Sequence, residues 1–152
     1  YQRKAGGITS GIYKSTDGGT NWNLLSNGLP PPSTTLGRIG VAISPTNPDV
    51  LYAIYADHPG YFDGVYRTTD GGNSWYRVND GSLSNMYSSF GWYFGNIFVD
   101  PTNENIVYAL GLSMHKSSDG GNNWSSIAWG THVDHHAIWV NPNNPQSVVI
   151  GN

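Results

Sequence analysis

Cysteine is absent from this sequence of 152 residues, which excludes a disulfide scaffold, a thiolate zinc site and a cysteine nucleophile. Charge is scarce as well. Asp, Glu, Lys and Arg make up 11% of residues, against roughly a quarter in an average globular protein. The formal net charge is −3, and the basic stripe that a nucleic-acid partner needs is missing. No apolar run approaches the roughly 20 residues that span a bilayer. No signal peptide is visible, and the sequence opens on Tyr1 rather than Met, as expected of a processed or incomplete chain. Glycine (20 residues), proline (9) and aromatics (13%) are plentiful instead. That mix suits many short strands joined by tight turns.

Internal repetition organises the chain. Ser15-Thr16-Asp17-Gly18-Gly19-Thr20-Asn21-Trp22 recurs as Thr68-Thr69-Asp70-Gly71-Gly72-Asn73-Ser74-Trp75 and as Ser117-Ser118-Asp119-Gly120-Gly121-Asn122-Asn123-Trp124. A second pattern interleaves with it: Ile43-Ser44-Pro45-Thr46-Asn47-Pro48, Val99-Asp100-Pro101-Thr102-Asn103-Glu104 and Val140-Asn141-Pro142-Asn143-Asn144-Pro145. A β-branched or aromatic run follows each of these. A unit of roughly 50 residues carrying four short strands is the signature of a propeller blade.

These anchors place the strands, lettered A to D from the inside of a blade outwards. Gly40–Ser44, Ile97–Asp100 and Ile138–Asn141 are expected as A strands, and Val50–Tyr55, Ile106–Leu110 and Ser147–Ile150 as B strands. Ile12–Ser15, Val65–Thr68 and Met114–Ser117 are expected as C strands, and Asn21–Leu25, Ser74–Val78 and Asn123–Ala128 as D strands. The expected fold is all-β: a propeller segment of four-stranded antiparallel blades, two whole and two half. The expected divisions are a C–D half blade at 1–29, blades at 30–80 and 81–130, and an A–B half blade at 131–152. A closed ring needs roughly four to eight blades, so further blades of the same chain, or further copies, are expected to complete it.

Within each Asp-Gly-Gly segment the aspartate is expected to accept hydrogen bonds from its own turn. The glycines permit positive φ, and the tryptophan packs between neighbouring sheets. Asp17, Gly19, Trp22, Asp70, Gly72, Trp75, Asp119, Gly121 and Trp124 are thus structural residues. One carboxylate per turn is too few oxygen ligands for calcium.

The three segments resemble the Asp-box, or bacterial neuraminidase repeat, Ser/Thr-x-Asp-x-Gly-x-Thr/Ser/Asn-Trp. Such repeats occur in sialidases, in xyloglucanase-like glycoside hydrolases and in sortilin-type propellers. Asp134-His135-His136-Ala137-Ile138-Trp139-Val140-Asn141-Pro142, with Val149-Ile150-Gly151-Asn152, is similar to a run in large bacterial Asp-box proteins related to the sortilin-type domain. The resemblance implies a propeller and an extracellular or cell-surface location in a bacterium. It says little about activity, because the box lies away from the usual binding face.

In a propeller the D-to-A and B-to-C connections share one face. Here that face is expected to gather Asp57, His58, Tyr61, Phe62 and Asp63, then Met86, Tyr87, Phe90, Trp92 and Tyr93, then His132, Asp134, His135 and His136. Aromatic rings beside carboxylates suit a carbohydrate platform, and they equally suit loops that pack on each other. Tyr87 and Trp92 are expected on the surface. If residues 132–136 are extended, His132, Asp134 and His136 share one side and could hold zinc or iron. Such groups more often hydrogen-bond one another, and no metal or other cofactor is expected. His115 is isolated and has no expected role.

A sialidase needs an arginine cluster and a tyrosine–glutamate pair. Arg3, Arg38 and Arg67 are scattered, and the lone glutamate, Glu104, falls in an A–B turn. A glycosidase needs two carboxyl groups at a defined separation, for which Asp57, Asp63, Asp80 and Asp134 are the candidates. The leading expectation is a non-catalytic module that binds a protein or polysaccharide partner through its loop face. The alternative is part of a xyloglucanase-like glycoside hydrolase whose carboxylates lie partly elsewhere.

Overall fold

The computed structural model describes residues 6–152. Arg3 and the first five residues of the expected 1–29 half blade lie outside them. Among the described residues twelve strands form four antiparallel sheets. The first pairs β1 (Ile12–Lys14) with β2 (Asn23–Leu25). The second runs β3 (Leu36–Ile43), β4 (Leu51–Asp57), β5 (Phe62–Thr68) and β6 (Tyr76–Arg77) in sequence order. The third repeats this with β7 (Asn96–Asp100), β8 (Asn103–Leu110), β9 (Met114–Ser117) and β10 (Ser125–Ile127). The fourth pairs β11 (Ala137–Val140) with β12 (Val148–Gly151). Two whole blades therefore sit between a C–D half blade and an A–B half blade. No α-helix occurs among the described residues.

β3 begins earlier than the pattern predicts, at Leu36 rather than Gly40. Gly37 explains the extension, because a Cβ there would lie 2.1 Å from the Asp57 carbonyl oxygen. Only glycine allows β3 to follow β4 so closely, and a register shift between Leu36 and Ile39 marks the spot.

The second strand of each whole blade is buried on both faces, so it reads as a continuous apolar run. Along β4, Tyr52, Ile54 and Ala56 enter a core shared with Val107, Ala109 and Trp124 of the next blade. Ala53 and Tyr55 enter a core shared with Ile12 of the preceding half blade and with Leu29, Leu36 and Trp75. Strand periodicity of two sends alternate residues to opposite neighbours. β8 repeats the device: Tyr108 and Leu110 pack with Ile138 and Val140.

The three Asp-Gly-Gly turns share one geometry. Asp70 Oδ1 accepts from Thr68 Oγ1 at 2.7 Å and from the Ser74 N–H at 2.9 Å, while the Trp75 indole N–H donates to the Gly72 carbonyl at 3.1 Å. The glycine pairs take φ of +70 and +92, +68 and +90, and +73 and +96, a left-handed region that side chains avoid. These hydrogen bonds, to Asn21, Ser74 and Asn123 above all, hold the three aspartates below the usual carboxylate range, Asp17 at about 2. Trp75 and Trp124 are 5% and 9% exposed, Trp22 61%.

Polar bonds tie each blade to the next. Lys14 Nζ donates to the Gly71 carbonyl at 2.7 Å, and the Arg67 guanidinium donates to Asn105 Oδ1 at 2.7 Å. Tyr52 Oη donates to the Glu104 carbonyl at 2.9 Å.

Candidate functional site

The β2–β3, β4–β5, β6–β7, β8–β9 and β10–β11 connections meet on one face, because the backbone stitches them together. His58 N–H donates to the Thr35 carbonyl (2.8 Å), Gly91 to Gly60 (2.6 Å), Leu112 to Met86 (3.0 Å) and His135 to Gly111 (2.9 Å). Gly60 is required there: its φ is +108, and a Cβ would meet the Ser89 carbonyl at 2.4 Å.

The long β6–β7 connection has an apolar floor continuous with the core between the two whole blades. Leu83, Met86, Tyr87 and Phe94 are buried at 0–2% exposure. Tyr87 stacks on Phe94, with ring centroids 6.5 Å apart, and lies 6.0 Å from Phe62. Tyr87 was expected on the surface and is instead the centre of this floor. Its hydroxyl is buried without a partner, and burial drives its pKa far up. The ring joins the core shared by the two whole blades, with Ile54, Val65 and Val107, so packing rather than solvent claims it.

Above the floor lies an aromatic band. Phe90, Tyr93 and Tyr61 are 45%, 54% and 54% exposed, and Trp92 is half-buried. The rings of the β6–β7 connection lie close to one another, Phe90 to Trp92 at 6.3 Å and Trp92 to Tyr93 at 5.6 Å, and Tyr93 lies 4.8 Å from the His136 imidazole. Arg38 donates to the Tyr93 carbonyl at 3.1 Å and fixes the end of the band.

The loop carboxylates are largely committed to backbone. Asp57 Oδ1 accepts from the N–H groups of Gly60 (2.8 Å) and Tyr61 (2.6 Å). Asp80, 6% exposed, accepts from the buried Val65 N–H at 2.8 Å and from Arg77 Nε at 3.0 Å. Asp63 differs. Burial raises its pKa above the usual carboxylate range; Arg77 opposes this, and the charges of Asp57 and Asp80 add to it. Asp57, Asp63 and Asp80 thus form one electrostatic neighbourhood, apart from Asp134.

The histidine segment does not follow the alternation considered for it. Asp134 takes φ of +75, so residues 132–136 are not extended and the common side is lost. His132 is exposed, with Nδ1 2.8 Å from the Val133 carbonyl. His135 is 3% exposed, its Nδ1 has no partner, and burial lowers its pKa. His136 stacks on Phe94 at 5.1 Å. Among the described residues no three His, Asp or Glu side chains are grouped to hold a metal ion. His58 Nδ1 is likewise buried without a partner. Arg77 and Phe94 were not singled out in the sequence. The three-residue step from Arg77 to Asp80 is the one local signal for the ion pair, whereas nothing short-range separates Phe94 from its exposed neighbour Tyr93.

No family model matches the chain. Among curated proteins it is 28% identical over 136 residues to Xyloglucanase Xgh74A of Acetivibrio thermocellus, covering 81% of this chain and 15% of that protein. It is 28% identical over 142 residues to a xyloglucanase of Hypocrea jecorina, covering 84% and 16%. Among solved structures, a GH74 enzyme of Niastella koreensis superposes with a TM-score of 0.70 at 20% identity, over 99% of this chain and 24% of that one. The GH74 xyloglucanase of Xanthomonas campestris gives 0.64 at 17% identity, over 96% and 25%. YCF48 bound to D1 peptide gives 0.57 at 16% identity, over 91% and 41%. The chain is a segment of a β-propeller. It spans only about 15% of the length of its curated relatives, and the structural likenesses establish its architecture alone.

Proposed function

We propose that this chain is a portion of a xyloglucanase-like propeller whose loop face holds a polysaccharide chain. The observation that carries this is the aromatic band of exposed Phe90, half-buried Trp92 and exposed Tyr93, with exposed Tyr61 on the β4–β5 loop, over loops whose aspartates Asp57 and Asp80 serve backbone N–H groups. Flat rings accept the C–H faces of sugars, and a contiguous exposed aromatic patch marks an interaction surface. Xyloglucan is the first ligand to test, because the curated relatives are xyloglucanases. A polymer of that size does not cross a membrane, so the chain acts outside the cell or on its surface. The repeated turns are read as Asp-boxes with a purely structural role.

The test is affinity electrophoresis in gels containing xyloglucan, with Trp92→Ala and Tyr93→Ala beside the wild type. Retardation that both variants abolish, while their circular dichroism is unchanged, supports the proposal. Equal mobility with and without polymer sinks it. Asp63 favours a second reading, in which this segment supplies the acid of a hydrolase. Raised by burial, its carboxyl has the property expected of a proton donor. Asp63→Asn that keeps binding and removes xyloglucan cleavage by the longer protein would select that reading.

A further inference from the structure

We infer that residues 134–136 form a pH-sensitive latch: protonation of His135 drives its ring from its seat, draws His136 off Tyr93 and loosens the aromatic band in acid. That the band holds a polysaccharide is the reading proposed above, whereas the latch itself rests on the segment's own bonds. His135 N–H donates to the Gly111 carbonyl and His136 N–H to the Gly151 carbonyl, each at 2.9 Å. The His136 carbonyl accepts from Asn96 Nδ2 at 2.9 Å. Its ring lies nearly flat on Phe94, 5.1 Å between centroids, and edge-to-face with Tyr93 at 4.8 Å. His135 is therefore one residue from the group that closes the band at its Tyr93 end.

The seat suits a neutral ring only. His135 is 3% exposed, and its Nδ1 is buried without a partner. A neutral imidazole can leave that nitrogen as a bare lone pair, whereas an imidazolium makes both ring nitrogens donors. Protonation in place would bury a charged donor that nothing accepts, and such a group moves to water when its segment can follow. Burial is the largest influence on the ring and holds its pKa below the ordinary 6.5. The Asp134 carboxylate opposes this, and His132 and His136 add to it. These are the charged and titratable groups that bear on the ring among the described residues.

The backbone is placed to let go. Asp134 holds φ of +75, a left-handed conformation that persists only while its surroundings fix it. Its N–H reaches the Leu112 carbonyl at a long 3.4 Å, and His132 and Val133 before it are exposed. The segment can swing outward while β11 stays paired, because that pairing begins at Ala137. Linkage sets the direction. A histidine with a lowered pKa stabilises its seat fully above the free value of 6.5, and the stabilisation is lost as pH falls below it. His115 shifts in the same sense, since burial lowers its pKa too and its Nδ1 also lacks a partner. It lies on β9 opposite Ala109, outside the latch, and serves as the internal control.

The experiment uses the longer protein that carries this chain, between about pH 8 and about pH 5. Exchange of the imidazole C2 hydrogen, read by mass spectrometry, gives the titration midpoint of His135. Amide exchange over residues 133–138, corrected for its intrinsic pH dependence, reads the latch. The expected midpoint lies below 6.5, and protection of the His135 and His136 amides should fall as the ring titrates. Retardation in xyloglucan gels should weaken at least roughly threefold over the same span. His135→Phe should keep both at acid pH, and His135→Gln tests the same point if the first variant does not fold. His115→Gln should respond as the wild type does. A midpoint at or above 6.5, or protection that persists below the midpoint, overturns the latch. So does a wild-type pH response in His135→Phe and His135→Gln. Protection lost as expected with no retardation at any pH supports the latch and sinks the polysaccharide reading instead.

Discussion

Replacing Asp80 by alanine tests whether the most buried loop carboxylate is a strut or a chemical group. The substitution orphans the Val65 N–H, which lies in a fully buried stretch of β5. An unsatisfied buried donor costs about 1–3 kcal/mol. The ion pair to Arg77 adds little, because the arginine side chain is 50% exposed and such pairs are worth at most about 1 kcal/mol. The expected loss is therefore about 2–3 kcal/mol for Asp80→Ala. Asp80→Asn keeps an acceptor for Val65 and should lose about 1 kcal/mol or less, as should Arg77→Ala. Urea unfolding followed by tryptophan fluorescence reads these differences; with a slope of about 2 kcal/mol/M, Asp80→Ala should lower the midpoint by about 1 M. Equal losses for Asp80→Ala and Arg77→Ala would refute the reasoning, since the ion pair would then outweigh the backbone bond. A wild-type midpoint for Asp80→Ala combined with lost polysaccharide binding would refute it from the other side.

Gly121→Ala should destabilise by roughly 2 kcal/mol, because its φ is +96 and the new Cβ would lie 2.9 Å from Val78. Gly18→Ala, with open space around it, should lose only the left-handed penalty of about 1 kcal/mol, and thermal melts compare the two. Tyr87→Phe should leave the melting temperature unchanged or raise it, since it removes a buried hydroxyl without a partner; a marked fall would mean the hydroxyl is bonded in solution. Asp17, Asp70 and Asp119 have depressed pKa values. Their stabilisation is present above the ordinary carboxylate value near 3.8 and is lost as pH falls below it, toward about 2 for Asp17. Asp63 works in the opposite sense: its raised pKa means its contribution fades as pH rises through 3.8 and beyond. Melting midpoints between pH 2 and 6 should therefore climb less steeply with pH in Asp70→Asn, and more steeply in Asp63→Asn.

The interleaved repeats made the order C–D, A–B–C–D, A–B–C–D, A–B legible before any coordinates, because strand placement here is written locally. An Asp-Gly-Gly turn needs its glycines at fixed positions, and a proline cannot donate to a ladder. The turn hydrogen bonds of Asp70 and Trp75 are equally local, spanning no more than four residues. The loop face was legible as a collection of residues but not as a surface. Tyr87 and Tyr93 belong to one connection and look alike in sequence, yet the first is fully buried and the second 54% exposed. That choice depends on Phe62 and Phe94 arriving beside Tyr87 from either side, which no local pattern encodes.

Sequence alone thus determined the strands, the turns and the blade order, since these follow from backbone preferences repeated every roughly 50 residues. Tertiary structure alone decided which rings face water, that Asp80 and Asp57 are spent on backbone while Asp63 is not, and that Asp134 turns out of line. It also buried Trp75 and Trp124, whose cover comes in part from Leu25 and Val78 of the preceding blade, a neighbour that no local motif encodes.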